Sequence, residues 1–148
     1  MMVEAHVTIG GTRAAIWAAL SDIENAAKTI RGIESIELVE KPAKGLAGLR
    51  WRETRMLFGK PATVEKWITE AVENEFYKTR AESDGFVFLT TMRLSESSGS
   101  ITLTGSHESM PQSVRARLSI PMLFLFRGVM KKFILQDLND IKAAVERG

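Results

Sequence analysis

Apolar and polar residues alternate from the first positions. Val3, Ala5, Val7 and Ile9 are interleaved with Glu4, His6 and Thr8, the pattern of a strand with one buried face. Gly10-Gly11 closes it, Thr12 is placed to cap a helix, and Ile16, Trp17 and Leu20 follow at helical spacing. Asp22 to Lys28 predicts a second short helix, and Ile33 to Val39 is again extended. Five more extended stretches follow, at Leu49 to Phe58, Ala62 to Val72, Phe76 to Glu82, Phe86 to Leu94 and Ile101 to Ser109. Turn-forming residues separate them, and Asp84-Gly85 is the strongest hairpin signal in the chain. Beyond Pro121, the residues Met122, Phe126, Val129, Met130, Phe133, Ile134, Leu138, Ile141 and Val145 keep a helical period. They predict one helix of roughly 25 residues, about 37 Å long.

Strand, two short helices, six strands and a long helix define an α+β chain. Consecutive strands joined by hairpin turns imply an antiparallel sheet, and a single long apolar helix is available to cover one face of it. A seven-stranded sheet curved around that helix is the expected architecture, built as one domain over residues 1–148.

Turn length sets which side chains face the helix, because side chains alternate with period two. A two-residue loop at Gly59-Lys60 places Leu57, Arg55, Glu53 and Trp51 opposite Ala62, Val64, Lys66 and Ile68. At Asp84-Gly85, Phe86 pairs with Ser83, Phe88 with Ala81, Thr90 with Thr79 and Met92 with Tyr77. A short turn at Glu73-Asn74 keeps Val72 and Tyr77 on one face, and Ile101, Leu103, Gly105 and His107 continue the set. This inward face mixes Trp51, Tyr77, Phe86, Phe88, Met92 and Leu103 with Glu53, Arg55, Lys66, Thr79, Thr90 and His107. A dry core excludes that many unpaired polar groups, whereas a ligand cavity with apolar walls and a few convergent polar groups accommodates them.

Composition narrows the chemistry. The chain has 148 residues, 45% of them hydrophobic, and no Cys, which excludes a disulfide scaffold, a thiolate nucleophile and Cys-ligated metal centres. There is no P-loop, no dinucleotide fingerprint and no G-x-S-x-G elbow. Gly45-Leu46-Ala47-Gly48 has the form of a nucleic-acid clamp loop but lies among strands, the wrong context for one. Two His residues far apart argue against a transition-metal site, so no metal or cofactor is expected. The formal net charge is +2, and residues 111–148 carry seven Lys/Arg against three Asp/Glu. That basic segment suits a solvated helix face, an anionic membrane surface or RNA. The N-terminus lacks a cationic start followed by an apolar run, and the longest apolar run, Ile120 to Phe126, has seven residues. A cytoplasmic protein is therefore expected.

Within the inward set, Glu53 and Lys66 read either as a structural ion pair or, with Arg55, as a polar patch for a ligand carboxylate, phenol or carbonyl. His107 reads as a hydrogen-bonded structural residue or as a base. Met122, Phe126 and Met130 share one stripe of the last helix, as core or as pocket wall. Trp67 is placed on the convex side beside Arg52, and Asp137 and Asp140 on a solvated helix face.

The chain also resembles a known superfamily. The resembling segments are Ala15-Ile16-Trp17 through Leu20-Ser21-Asp22-Ile23-Glu24-Asn25, then Gly32-Ile33-Glu34-Ser35-Ile36. They continue with Gly48-Leu49-Arg50-Trp51-Arg52-Glu53-Thr54-Arg55, Phe58-Gly59-Lys60 and Leu135-Gln136-Asp137-Leu138-Asn139-Asp140-Ile141-Lys142. In this order they are similar to the helix-grip fold of the START/Bet v 1-like (SRPBCC) superfamily, in its polyketide cyclase/dehydrase-type branch. The resemblance implies a deep apolar cavity between sheet and last helix. Members bind lipids, sterols, plant hormones, quinones or polyketides, and some cyclise or dehydrate a polyketide, with no universal catalytic motif.

The expected function is therefore binding or carriage of a hydrophobic small molecule with one polar end. Trp51, Phe88, Met92, Leu103, Phe126 and Met130 supply walls, and Glu53, Arg55, Tyr77, Thr90 and His107 supply polar contacts. One alternative is a cyclase or dehydratase using Glu53 or His107 as acid/base beside Arg55 or Tyr77. The other is an interaction protein whose basic C-terminal part meets a membrane surface or RNA. No DNA partner is expected, and the chain is a monomer or a homodimer.

Overall fold

The computed structural model describes residues 1–148. Its strands are β1 (Met2–Ile9), β2 (Ile33–Glu40), β3 (Arg50–Leu57), β4 (Lys60–Val72), β5 (Phe76–Ser83), β6 (Phe86–Ser97) and β7 (Ser100–Pro111). They form one antiparallel sheet in the order β1-β7-β6-β5-β4-β3-β2. Helix α1 (Arg13–Ser21), a 3-10 turn (Ile23–Asn25) and α2 (Ala26–Thr29) lie between β1 and β2. Helices α3 (Val114–Leu118), α4 (Ile120–Leu125) and α5 (Arg127–Arg147) follow β7. This is the expected α+β helix-grip arrangement. No helix is long and apolar enough to cross a membrane.

Local chemistry explains the elements. The Thr12 hydroxyl accepts from the Ala15 amide at 3.1 Å and starts α1. Three hairpins turn on two residues with positive φ: Phe58-Gly59 at 52° and 80°, Asp84-Gly85 at 51° and 79°, Ser98-Gly99 at 51° and 81°. Such turns match the right-handed twist of the strands they join. The core forms where α1 and α5 meet the concave face, from Val7, Ile16, Trp17, Leu20, Trp51, Ile68, Leu103, Leu138 and Ile141 among others.

The structure corrects three expectations. The turn at β3–β4 is Phe58-Gly59, not Gly59-Lys60, so Glu53 pairs with Val64 and Trp51 with Lys66. This displaces the register by two residues, which preserves the inward set. At β4–β5 three residues, Glu73 to Glu75, separate Val72 from its partner Phe76, so Ala71 and not Val72 lies opposite Tyr77, and the extra residue Thr69 between Ile68 and Glu70 keeps Ile68 on that same face. The predicted long helix is broken at Phe126 (φ −94°, ψ 7°) into the short α4 and the 21 residues of α5, and α3 before them was not anticipated. The Asp84-Gly85 hairpin has the expected pairs.

Gly85 illustrates how a turn is tied to its surroundings. A Cβ there would lie 2.6 Å from Ser113 Oγ, the hydroxyl that caps α3 through the Ala116 amide. Gly59 and Gly99 have the same backbone conformation with nothing within 4 Å. Gly85→Ala is therefore expected to cost about 2 kcal/mol, and Gly59→Ala about 1 kcal/mol, in urea unfolding.

Candidate functional site

The site is built around the carboxylate of Glu53. Alternation along β3 aims Trp51, Glu53 and Arg55 at the concave side, and β4 adds Lys66 from the adjacent strand. Glu53 Oε2 accepts from Arg55 Nε at 2.7 Å and Lys66 Nζ at 3.0 Å, and Oε1 accepts from Trp51 Nε1 at 3.3 Å. The other edge of the Arg55 guanidinium donates two bonds to Asp137 of α5, at 2.7 and 3.2 Å. A planar fork between two carboxylates uses the donor geometry that distinguishes Arg from Lys. Gly32 admits this pair: a Cβ there would sit 3.0 Å from Arg55 Nη1.

Asp137 and Asp140 were expected on a solvated face, and the structure corrects this. Asp137 meets Arg55, and Asp140, 9% exposed, accepts from the Arg31 amide at 2.9 Å and from Arg31 Nε at 3.1 Å. The signal was present in the sequence, since Ile134, Asp137, Leu138 and Ile141 lie at i, i+3, i+4 and i+7 on one helical stripe.

These groups have unequal proton affinities. Burial works against ionisation of Glu53, but Lys66 and Arg55 outweigh it and hold the carboxyl down at about 2. Burial raises the Asp137 carboxyl above its ordinary range, and the Arg55 pair only partly offsets it. Burial, with Lys66 and the N-terminal amine adding repulsion, lowers His107 to about 4. His107 is thus neutral at pH 7. Its Nδ1 is 3.1 Å from Thr90 Oγ1, and its ring stacks on Phe88 with centroids 5.6 Å apart.

Because His107 resists protonation when folded, stability falls as pH drops from about 6.5 to about 4. Above that window folded and unfolded chains are both neutral at this ring. The window corresponds to at most roughly 3 kcal/mol. His107→Gln should flatten that part of the stability profile; an unchanged slope between pH 6.5 and 4 would mean the ring titrates freely in the fold.

Two hollows flank the network. The smaller, about 100 Å³, lies under α1, α2 and the start of β2 and includes Ile23, Ile30, Ile33, Trp51, Glu53, Tyr77 and Thr79 in its wall. The larger, about 340 Å³, lies between the sheet and α5, lined by Met56, Leu57, Met92, Met130, Phe133, Ile134 and Leu138 with Arg55, Lys66, Thr90, His107 and Asp137. Arg55, Lys66, Thr90, Met92 and Asp137 line both.

Of the residues expected at a ligand site, Trp51, Glu53, Arg55, Tyr77, Thr90, Met92, His107 and Met130 line one hollow or both. Three do not. Leu103 is fully buried in the core. Phe88 lies between Phe86 and His107, and Phe126 packs against Phe58 at 6.2 Å with 44% of its surface exposed. Trp67 is on the convex side as expected, but Arg50, not Arg52, lies over its ring at 4.2 Å.

No protein-family model matches the sequence, and no curated protein matches it. Solved structures do match the fold. A protein of Thermus thermophilus superposes with a TM-score of 0.81 at 16% identity, covering 99% of this chain and 98% of that one. A START superfamily protein from Mycobacterium smegmatis gives 0.76 at 16%, covering 99% and 97%. The Zhui aromatase/cyclase from Streptomyces sp. R1128 gives 0.75 at 16%, covering 99% and 94%. The chain thus has the START/Bet v 1-like helix-grip fold.

Proposed function

We propose that the chain binds a hydrophobic small molecule with one polar end, of lipid, polyketide, quinone or aromatic type, between the sheet and α5. The observation that carries this reading is the hollow of about 340 Å³, in the size range of small-molecule sites. Its walls run from Met and Phe side chains to a cluster of donors. Lys66 retains further N–H groups beyond its bond to Glu53, and His107 offers a neutral ring nitrogen at pH 7. Both suit a ligand carbonyl, phenol or carboxylate.

Arg55 lines both hollows, but its guanidinium is already shared between Glu53 and Asp137. Arg55→Ala would strip Asp137 of its partner and leave Glu53 only Lys66 and Trp51, so it tests the network as much as the ligand. Filling the hollow from its apolar wall is cleaner. Met130→Trp is expected to weaken binding of an apolar fluorescent naphthalene dye by tenfold or more while leaving the unfolding midpoint within a few degrees. Dye that never binds the wild-type chain would sink the proposal.

The likeness to an aromatase/cyclase favours a second reading, polyketide cyclisation or dehydration. A general base works best with a pKa near the operating pH. Glu53 near 2 and His107 near 4 are both poor proton acceptors at pH 7. Cyclisation of a polyketide substrate by the wild type, abolished in Glu53→Gln or His107→Gln, would establish the enzyme.

A further inference from the structure

We infer that the α3–α4 segment and the first turns of α5 dock the protein on an anionic phospholipid bilayer. Between Val114 and Phe126 the chain exposes side chains that normally seek cover: Val114 at 76%, Leu118 at 77%, Met122 at 62%, Phe124 at 55% and Leu125 at 83%. Helix α4, Ile120–Leu125, contains no charged residue. Exposed apolar groups concentrated in one segment mark an interaction surface, whereas scattered ones do not.

Charge selects the partner. Arg115, Arg117, Arg127, Lys131 and Lys132 surround the apolar residues, all exposed, and no Asp or Glu occurs from Ser109 to Gln136. None of the ion pairs in the structure draws on a residue of this stretch. Aliphatic side chains amid unpaired cations match the two layers of an anionic membrane surface, acyl chains beneath phosphates. A second copy fits poorly, because joining two such faces opposes cations with no carboxylate to pair them. RNA would leave the leucines without an apolar partner.

The face adjoins the hollow between sheet and α5. Phe58, 77% exposed, packs against Phe126 and Phe133, and Phe133 lines that hollow. Docking would bring this wall of the hollow to the bilayer, and it requires no bound ligand.

The test is co-sedimentation of the full chain with vesicles of phosphatidylcholine, with and without 30% phosphatidylglycerol. Binding is expected with phosphatidylglycerol and at least tenfold weaker without it. Leu118→Ser/Leu125→Ser should reduce it at least tenfold, and so should Lys131→Gln/Lys132→Gln, at roughly fivefold per cation removed near the surface. These residues are exposed, so both variants should keep the wild-type unfolding midpoint and dye binding. The inference is overturned by any of three results. One is no binding to the anionic vesicles in 0.1 M salt. Another is binding that the leucine variant leaves unchanged. The last is self-association, or capture of single-stranded RNA, that the leucine variant abolishes and anionic vesicles do not displace.

Discussion

Replacing Glu53 with alanine is expected to lower the free energy of unfolding by about 3 kcal/mol, the low end for removing one partner of a buried ion pair. The low end applies because the surviving cations are partly hydrated: Lys66 and Arg55 side chains are 27% and 23% exposed, against 7% for Glu53. Arg55 also keeps Asp137, so Lys66 bears most of the loss. Trp51 Nε1 loses its acceptor as well. The contribution depends on pH. Held at about 2 when folded, against an ordinary 4.5, Glu53 stabilises the fold fully above about 4.5 and loses that effect as pH falls toward 2. Glu53→Ala should therefore cost most at neutral pH and little near pH 2. Adding Lys66→Met removes the stranded charge and should recover much of the loss, because an apolar group of similar length replaces an unpaired ammonium. Urea unfolding of the single and double variants decides it. A double variant no more stable than Glu53→Ala alone would show that Lys66 was solvated throughout.

This network also shows what the sequence could and could not convey. The inward face of β3 to β7 was legible because alternation survives a register error of two, as at Phe58-Gly59. The odd residue at Thr69 was not legible. A bulge leaves no compositional mark, and neither did the third turn residue, Glu75, which sets Ala71 and not Val72 opposite Tyr77. Asp137 was legible in principle from its place on the apolar stripe of the last helix, but a carboxylate in the second half of that helix suits solvent equally well until Arg55 is seen beneath it. The break at Phe126 had no proline to announce it. For Phe88, Leu103 and Phe126, period two and period 3.6 gave a face but not a depth. Whether an inward residue fills the core or lines a hollow depends on the spacing between layers, which no local pattern encodes.

Layer spacing is what Leu138→Ala would test. Leu138 has no exposed surface, belongs to the core, and borders the hollow between sheet and α5. It sits where α5 passes close over β7: a Cβ on Gly105 would lie 3.2 Å from Ile134, 3.3 Å from Met92 and 3.4 Å from Leu138. Truncation is expected to cost about 3 to 4 kcal/mol in the ligand-free protein, from lost transfer energy and a void that rigid neighbours do not fill. That void is continuous with the existing hollow and lined by apolar atoms, so it should stay dry and accept apolar matter. The same variant should therefore bind a bulkier dye more tightly than the wild type does. At a ligand concentration of 100 Kd, binding returns about 2.7 kcal/mol to the folded state. The stability deficit of Leu138→Ala should thus be large without ligand and much smaller at saturation with the bulkier dye, measured as unfolding midpoints on one sample. If the deficit is identical with and without dye, the space beside Leu138 is not the place where ligand binds, and the hollow of about 340 Å³ loses its assigned role.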